Sequence, residues 1–398
     1  MTAFTYDNAN GSRHFWALLL LGGALAALGL GAAHLMELQG HAITGMNNQV
    51  VWGLPHVFAI FMIVAASGVL NVAAVASVFG QSDYKPGAPL SALLCLSLLA
   101  GGLMVLMLDL GRPDRILIAA THFNFRSVFA WNVLLYSGMA AIVLVYLGTM
   151  FERRFNQYTR AVGLAALVWR LVLTAGTGSI FGLLVARQAY GSALLAPLFI
   201  VLSLAWGLAV FLIVQHGLNA LHGRRPDAAL QPRLARLLGI FIAAALFLVA
   251  IQHLTSLYFA RQSAFEAFIL WQGGVYPLLF WLGYVLAGSL LPLGLLFWPR
   301  GDGNAPALLA ASLLVVLGAG AWLYVFIIGG QAFPLEIFPG HLVSSSFGDG
   351  AVANYQARWP EWLLGLGGVG LALLLTTLGV RLFDVLPQDD GVAAVKGG

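Results

Sequence analysis

Four charges crowd into eight residues at 108–115, LDLGRPDR, directly behind a long apolar run, in a chain that is only 9% charged. Gly111 suits a helix C-terminus and Pro113 cannot continue a helix, so the apolar run ends here and Asp109 sits at its mouth. A carboxylate at the edge of a low-dielectric region holds its proton more tightly, and a neighbouring guanidinium such as that of Arg112 loosens it again. Tuning of that kind suits proton-coupled redox chemistry. The competing reading is an interfacial cap in which Asp109 and Asp114 pair locally with Arg112 and Arg115.

Three further positions carry chemistry by residue type. His56 follows Pro55 in the first turn of an apolar run. Asn47, Asn48, Gln49 and Trp52 precede it, and His34 and Glu37 close the run before, so amide, indole, imidazole and carboxylate converge in sequence. His253 lies in IQHLTSLY, where Gln252, Thr255 and Ser256 form one polar stripe on a helix. A helix–helix hydrogen-bonding seam explains that stripe as well as a binding site does. Arg170 lies about nine residues inside an apolar run, where a cation is costly and either functional or snorkelling.

The elements that must position these residues follow from composition. Soluble domains carry about 25% charged and 45–50% apolar residues. This chain of 398 residues is 60% apolar, with Gly at 47 positions. In lipid only helices and closed barrels satisfy the backbone, and unbroken apolar runs of about 20 residues select the helix. The expectation is an all-α polytopic bundle forming a single membrane domain over 1–398. Its ten spans fall roughly at 15–35, 54–79, 90–108, 128–150, 161–186, 194–214, 237–260, 275–297, 306–328 and 362–380. The first run is read as an uncleaved span rather than a leader.

Connections then alternate between two sides. Twelve of the nineteen Lys and Arg residues fall on one side and six on the other, with Arg170 inside a span. The positive-inside bias puts both termini in the cytoplasm and LDLGRPDR on the outer face, with 36–56 and 329–361. The scattered basic residues fit membrane topology and give no footprint for nucleic acid. The single cysteine, Cys95, excludes an internal disulfide and a cysteine-ligated iron–sulfur cluster held by this chain alone. Haem is disfavoured too, because His253 lacks a second axial histidine at its depth and His216 lies at the opposite end of its own span. Neither a phosphate-cradling GxxxxGK[ST] nor HExxH occurs.

TGMNNQVVWGLPH, LDLGRPDR with the following NFRSVFAWN, and GGQAFPLEIFPG resemble the membrane subunits of the polysulfide reductase, or NrfD, family. The resemblance covers essentially all spans. Ten spans match the longer branch, nearest the DsrP type of a sulfite-reductase-associated membrane complex, with the hydrogenase-associated HybB type next. It implies a subunit of a respiratory or sulfur-metabolism oxidoreductase in a bacterial inner membrane. Such a subunit exchanges electrons between menaquinone or ubiquinone and a periplasmic, ferredoxin-like iron–sulfur partner, without haem or cluster of its own. By that resemblance His56 contributes to the quinone pocket, and Gly53 stands where eight-span relatives carry a polar amide, so the pocket differs here. The assignment places His56, Asp109 and Arg112 in the chemistry, with Glu37, Asn48, Trp52, His253 and Arg170 around the quinone. Catalysis by this chain without partner subunits is not expected. A secondary transporter using Arg170 and the His253 stripe, and a structural anchor without its own quinone site, are the alternatives.

Overall fold

A computed structural model describes residues 6–7, 13–223, 229–297, 305–335 and 350–387. It contains ten helices long and apolar enough to cross a membrane: Arg13–Gln39, Leu54–Ser77, Ser82–Leu108, Val128–Phe151, Arg153–Gly182, Leu195–Leu221, Leu230–Tyr258, Val275–Phe297, Ala305–Ala332 and Trp359–Leu382. All ten expected spans are therefore helical, and they are called the first to tenth span below. The stretch 261–274, read from sequence as a loop, instead folds as a short helix, Ser263–Ala267, that runs on into a wider turn. Of the Lys and Arg residues counted above, Arg224, Arg225, Arg300 and Lys396 lie outside the described residues, as does 336–349 of the expected outer connection 329–361.

The second span is the axis of the bundle. Its most apolar window is 83% buried, against 28% for the first, fourth and eighth spans, whose Leu, Val and Phe side chains face outward. Apolar burial gives helices little reason to associate in lipid, so close backbone approach must supply the contact. Two glycine contacts show it. A Cβ on Gly68 would collide with the Ser203 carbonyl oxygen on the sixth span, and one on Gly29 would lie 2.6 Å from Gly367 Cα on the tenth. The first and last spans thus pack backbone to backbone. Near them Tyr6–Asp7 pairs antiparallel with Leu386–Pro387.

Four connections at one end of the bundle are stitched to one another or to the adjoining span ends. Gln49 donates to the Ala332 carbonyl, Arg187 to the Gln49 and Gln331 carbonyls, Gln262 to the Tyr190 carbonyl, and Gly45 N–H to Glu361. The opposite end carries an exposed Arg233–Asp83 pair. Three segments wind as π-helix rather than α-helix: Phe268–Gln272, Leu279–Leu290 and Tyr324–Gly329. Such widened turns are rare and concentrate at functional sites.

Candidate functional site

His56 and Asp109 come from different spans and meet at the stitched end. The second span opens on Gly53 with Pro55 in its first turn, where the ring's missing N–H costs nothing, and this sets His56 facing the third span. The third span ends at Asp109, whose backbone N–H donates to the Val105 carbonyl. Its side chain turns inward and the residue is only 6% exposed. His56 Nδ1 lies 2.8 Å from Asp109 Oδ2, a close contact without aligned hydrogen-bond geometry, and Oδ1 has no hydrogen-bond partner among the described residues. His41 Nε2 donates to the Asp109 carbonyl at 3.0 Å, tying the preceding connection to the same corner.

Trp52 stacks on the His56 ring with centroids 5.9 Å apart and meets Phe181 edge-on. Its backbone is clamped by the Gln331 side chain, whose Oε1 accepts from Val51 N–H and Trp52 N–H while Nε2 donates to the Trp52 and Ile327 carbonyls. Arg187 donates to the Gln331 and Gln49 carbonyls, and partial burial lowers its proton affinity below the usual guanidinium range. Beneath the same connection Glu361, fully buried, accepts from Gly45 N–H, Arg358 N–H and Tyr355 Oη–H. Tyr355 in turn accepts from Leu54 N–H. Burial, followed by the hydrogen bond to Glu361, pushes the Tyr355 phenol far above its ordinary range. The glycine at 53 has a steric cause here. A Cβ there would collide with Glu361 Oε1, so the space that a larger residue would fill holds the Glu361–Tyr355 latch.

Of these residues Trp52 and His56 border a cavity of about 350 Å³, within the usual range for a small-molecule site. Trp52, Phe129 and Phe181 give it flat apolar walls, Ile327 closes one side, and His56 is the polar pole. Asn132, 2% exposed on the fourth span, lines it as well. Its Nδ2 donates to the Val128 carbonyl, whereas Oδ1 has no partner among the described residues. A buried amide oxygen without a partner costs about 1–3 kcal/mol, which a ligand donor would recover. A larger cavity of about 510 Å³ lies toward the other end, between Phe15, His222 and Val380. Its polar groups are spent on their own helices: His222 on the Leu218 carbonyl, Thr376 on Ala372 and Thr377 on Leu373. Of these two cavities, only the first is lined by a buried amide oxygen without a partner among the described residues, Asn132 Oδ1.

The other expected site residues are placed elsewhere. Arg112 does not hold Asp109: its guanidinium forks onto Asp114 at 2.9–3.0 Å in an exposed pair, so the local-cap reading holds for that pair and fails for Asp109. That bond raises the proton affinity of Arg112 and lowers that of Asp114. Glu37 and Asn48 are exposed and outside the cavity lining. His253 lines a separate cavity, paired with Glu266. Arg170 is 3% exposed beside the Ser67–Thr174 hydrogen bond, with Nε and Nη1 unpartnered among the described residues. Sequence reading missed Asn132, Gln331, Arg187, Glu361 and Tyr355. A lone amide in an apolar span signalled Asn132, and Glu361 three residues after Arg358, behind Pro360, marked a helix start without signalling its bond to Gly45.

A family model described as "Polysulphide reductase, NrfD" matches residues 42–335. An integral membrane subunit of an Hdr-like menaquinol oxidoreductase from Archaeoglobus fulgidus is 29% identical, with 95% of each chain covered. A putative membrane subunit of a dimethyl sulfoxide reductase from Halobacterium salinarum is 27% identical over 94% of this chain and 92% of its own. A selenate reductase subunit from Mesobacillus selenatarsenatis is 22% identical over 94% and 95%. None of these singles out the DsrP type.

Proposed function

Because the chain belongs to the polysulphide reductase (NrfD) family, we propose that it is the quinol-reactive membrane subunit of an oxidoreductase complex, with its ring site in the cavity between His56 and Asn132. The observation that carries this reading is the combination of a buried His56–Asp109 pair, flat aromatic walls and an unpartnered Asn132 Oδ1 around one cavity. Those groups fit an amphiphilic ring with polar atoms at its ends. Similarity over nearly the whole length to a menaquinol oxidoreductase subunit supports the same class.

A bound quinol supplies two electrons and two protons, chemistry that no side chain here carries. His56 and Asn132 would hold its oxygens, and Trp52 and Phe129 its ring. With Nδ1 turned to Asp109, His56 presents Nε2 as its free nitrogen, and that atom accepts a proton. The Asp109 carboxylate compensates the charge on the imidazole, as carboxylates behind working histidines do. His41, whose Nε2 donates to the Asp109 backbone carbonyl, holds the 40–53 connection against the same corner. Gln331, Arg187 and Glu361 are positioning residues, since each fixes the 40–53 connection and touches no cavity space.

In this reading the stitched end faces outward and both termini lie in the cytoplasm of a bacterial cell. Electrons leave to an iron–sulfur, ferredoxin-like subunit docked over 36–56 and 329–361, in a complex of respiratory or DsrP-like sulfur metabolism. The test is binding of a fluorescent quinol-analogue inhibitor to the purified chain, beside His56→Ala and Asp109→Asn. Saturable binding that weakens at least about tenfold in both variants, a loss of about 1.4 kcal/mol, is expected. Absence of saturable binding to folded wild type overturns the proposal.

A further inference from the structure

A second histidine–carboxylate pair lies in the other half of the bundle, and the quinol reading does not use it. Glu266, 2% exposed, sits on the short helix Ser263–Ala267 with Oε2 2.6 Å from His253 Nδ1 on the seventh span. The Phe280 ring meets the imidazole edge-on at 4.7 Å. The pair borders a cavity of about 30 Å³, enough for one or two waters and too small for an organic ligand. His253 and Glu266 are its only titratable lining residues, and Gln252 is its one other strongly polar group.

All three π-helical segments border this one cavity: Phe268–Gln272 through Ile269, Leu279–Leu290 through Phe280, and Tyr324–Gly329 through Val325 and Phe326. Charge balance supplies the chemistry. With a neutral imidazole, the buried pair carries one net negative charge in an apolar wall, and an uncompensated buried charge is expensive. Among the described residues no Lys or Arg forms an ion pair with Glu266; Arg261 donates to the Val185 carbonyl, and Arg187 to the Gln49 and Gln331 carbonyls. The titratable groups next to its lining are the phenols of Tyr190, from the connection after the fifth span, against Phe326, and of Tyr284, from the eighth span, against Phe280. One added proton makes the pair neutral overall. Gln252 also links the site to the stitched end, since its Oε1 accepts from Ser192 Oγ–H at 2.8 Å and its Nε2 donates to Ser256 Oγ.

We propose that His253 and Glu266 form a reversible proton-binding site, hydrated by one or two waters and exchanging with the stitched end along Gln252 and Ser192. It is separate from the His56 cavity and stands whether or not that cavity takes a quinol. The test is a pH-difference infrared spectrum of the full chain in lipid nanodiscs. Wild type is expected to show a titrating carboxyl band that is missing in Glu266→Gln and titrates over a different pH range in His253→Gln. Superimposable spectra of wild type and Glu266→Gln overturn the proposal. If Glu266→Gln does not accumulate, His253→Gln decides: a band titrating unchanged from wild type overturns it equally.

Discussion

The bundle holds two histidine–carboxylate pairs built on opposite plans. His56 and Asp109 come from two successive spans, and the corner they form is held from outside by connections that reach in from far along the chain: Gln331, Arg187 and Glu361. His253 and Glu266 are thirteen residues apart, joined by one tight turn and walled by π-helical segments. The first opens on space for a ring, the second on space for water. Identical pairs thus stand beside spaces of different size because the surrounding backbone, not the pair, sets the volume. The difference also separates what each site depends on.

Removing the latch gives the largest effect. Glu361→Ala strips the acceptor from three donors and is expected to cost about 3 kcal/mol or more, read as a drop in Tm. Inhibitor binding at the His56 cavity should vanish while the Glu266 carboxyl band persists; loss of both would show that the two sites are not independent. Gly53→Ala follows, since its methyl collides with Glu361; overpacking of about 1–3 kcal/mol and a displaced Trp52, seen as altered tryptophan fluorescence, are expected. Next, Glu266→Gln should leave inhibitor affinity within about twofold, where Asp109→Asn loses about tenfold or more. Comparable losses in both would merge the sites. Asn132→Leu should weaken the inhibitor about three- to tenfold with Tm unchanged or raised, because a buried unpartnered oxygen disappears.

The smallest effect belongs to Asp114→Asn, which should leave Tm and binding unaltered, because the Arg112–Asp114 pair is exposed and screened. The sign is nevertheless fixed. Asp114 holds its proton less tightly folded than unfolded, so any stabilisation is present above the ordinary carboxylate range and fades as pH falls through the lowered value. A thermal scan against pH that showed a large effect of this variant would restore Arg112 to the site.

Much of this was legible in the sequence, for particular reasons. Lipid demands helices of a set length, so the ten spans could be counted from apolar runs alone. His56 and Asp109 were visible because a proline and a glycine mark their helix ends. The error within LDLGRPDR is instructive. Sequence proximity pointed Arg112 at Asp109, whereas the inward turn at the helix end buries Asp109 and leaves the exposed Asp114 to Arg112. The clamps of Glu361 on Gly45 and of Gln331 on Val51 were illegible because those partners lie 316 and 280 residues away. Glu266 was hidden by a run read as loop, whose residues fold back into the bundle.

The pairing of the first span with the tenth also bears on how the molecule is made. The first span enters the bilayer when nearly the whole chain is still to be synthesised, and its glycine face has no partner until Gly367 emerges. Intermediates of this kind are exposed to mispairing. The first span therefore cannot close onto the tenth until the tenth has itself been inserted, so this contact forms after those among the spans between them.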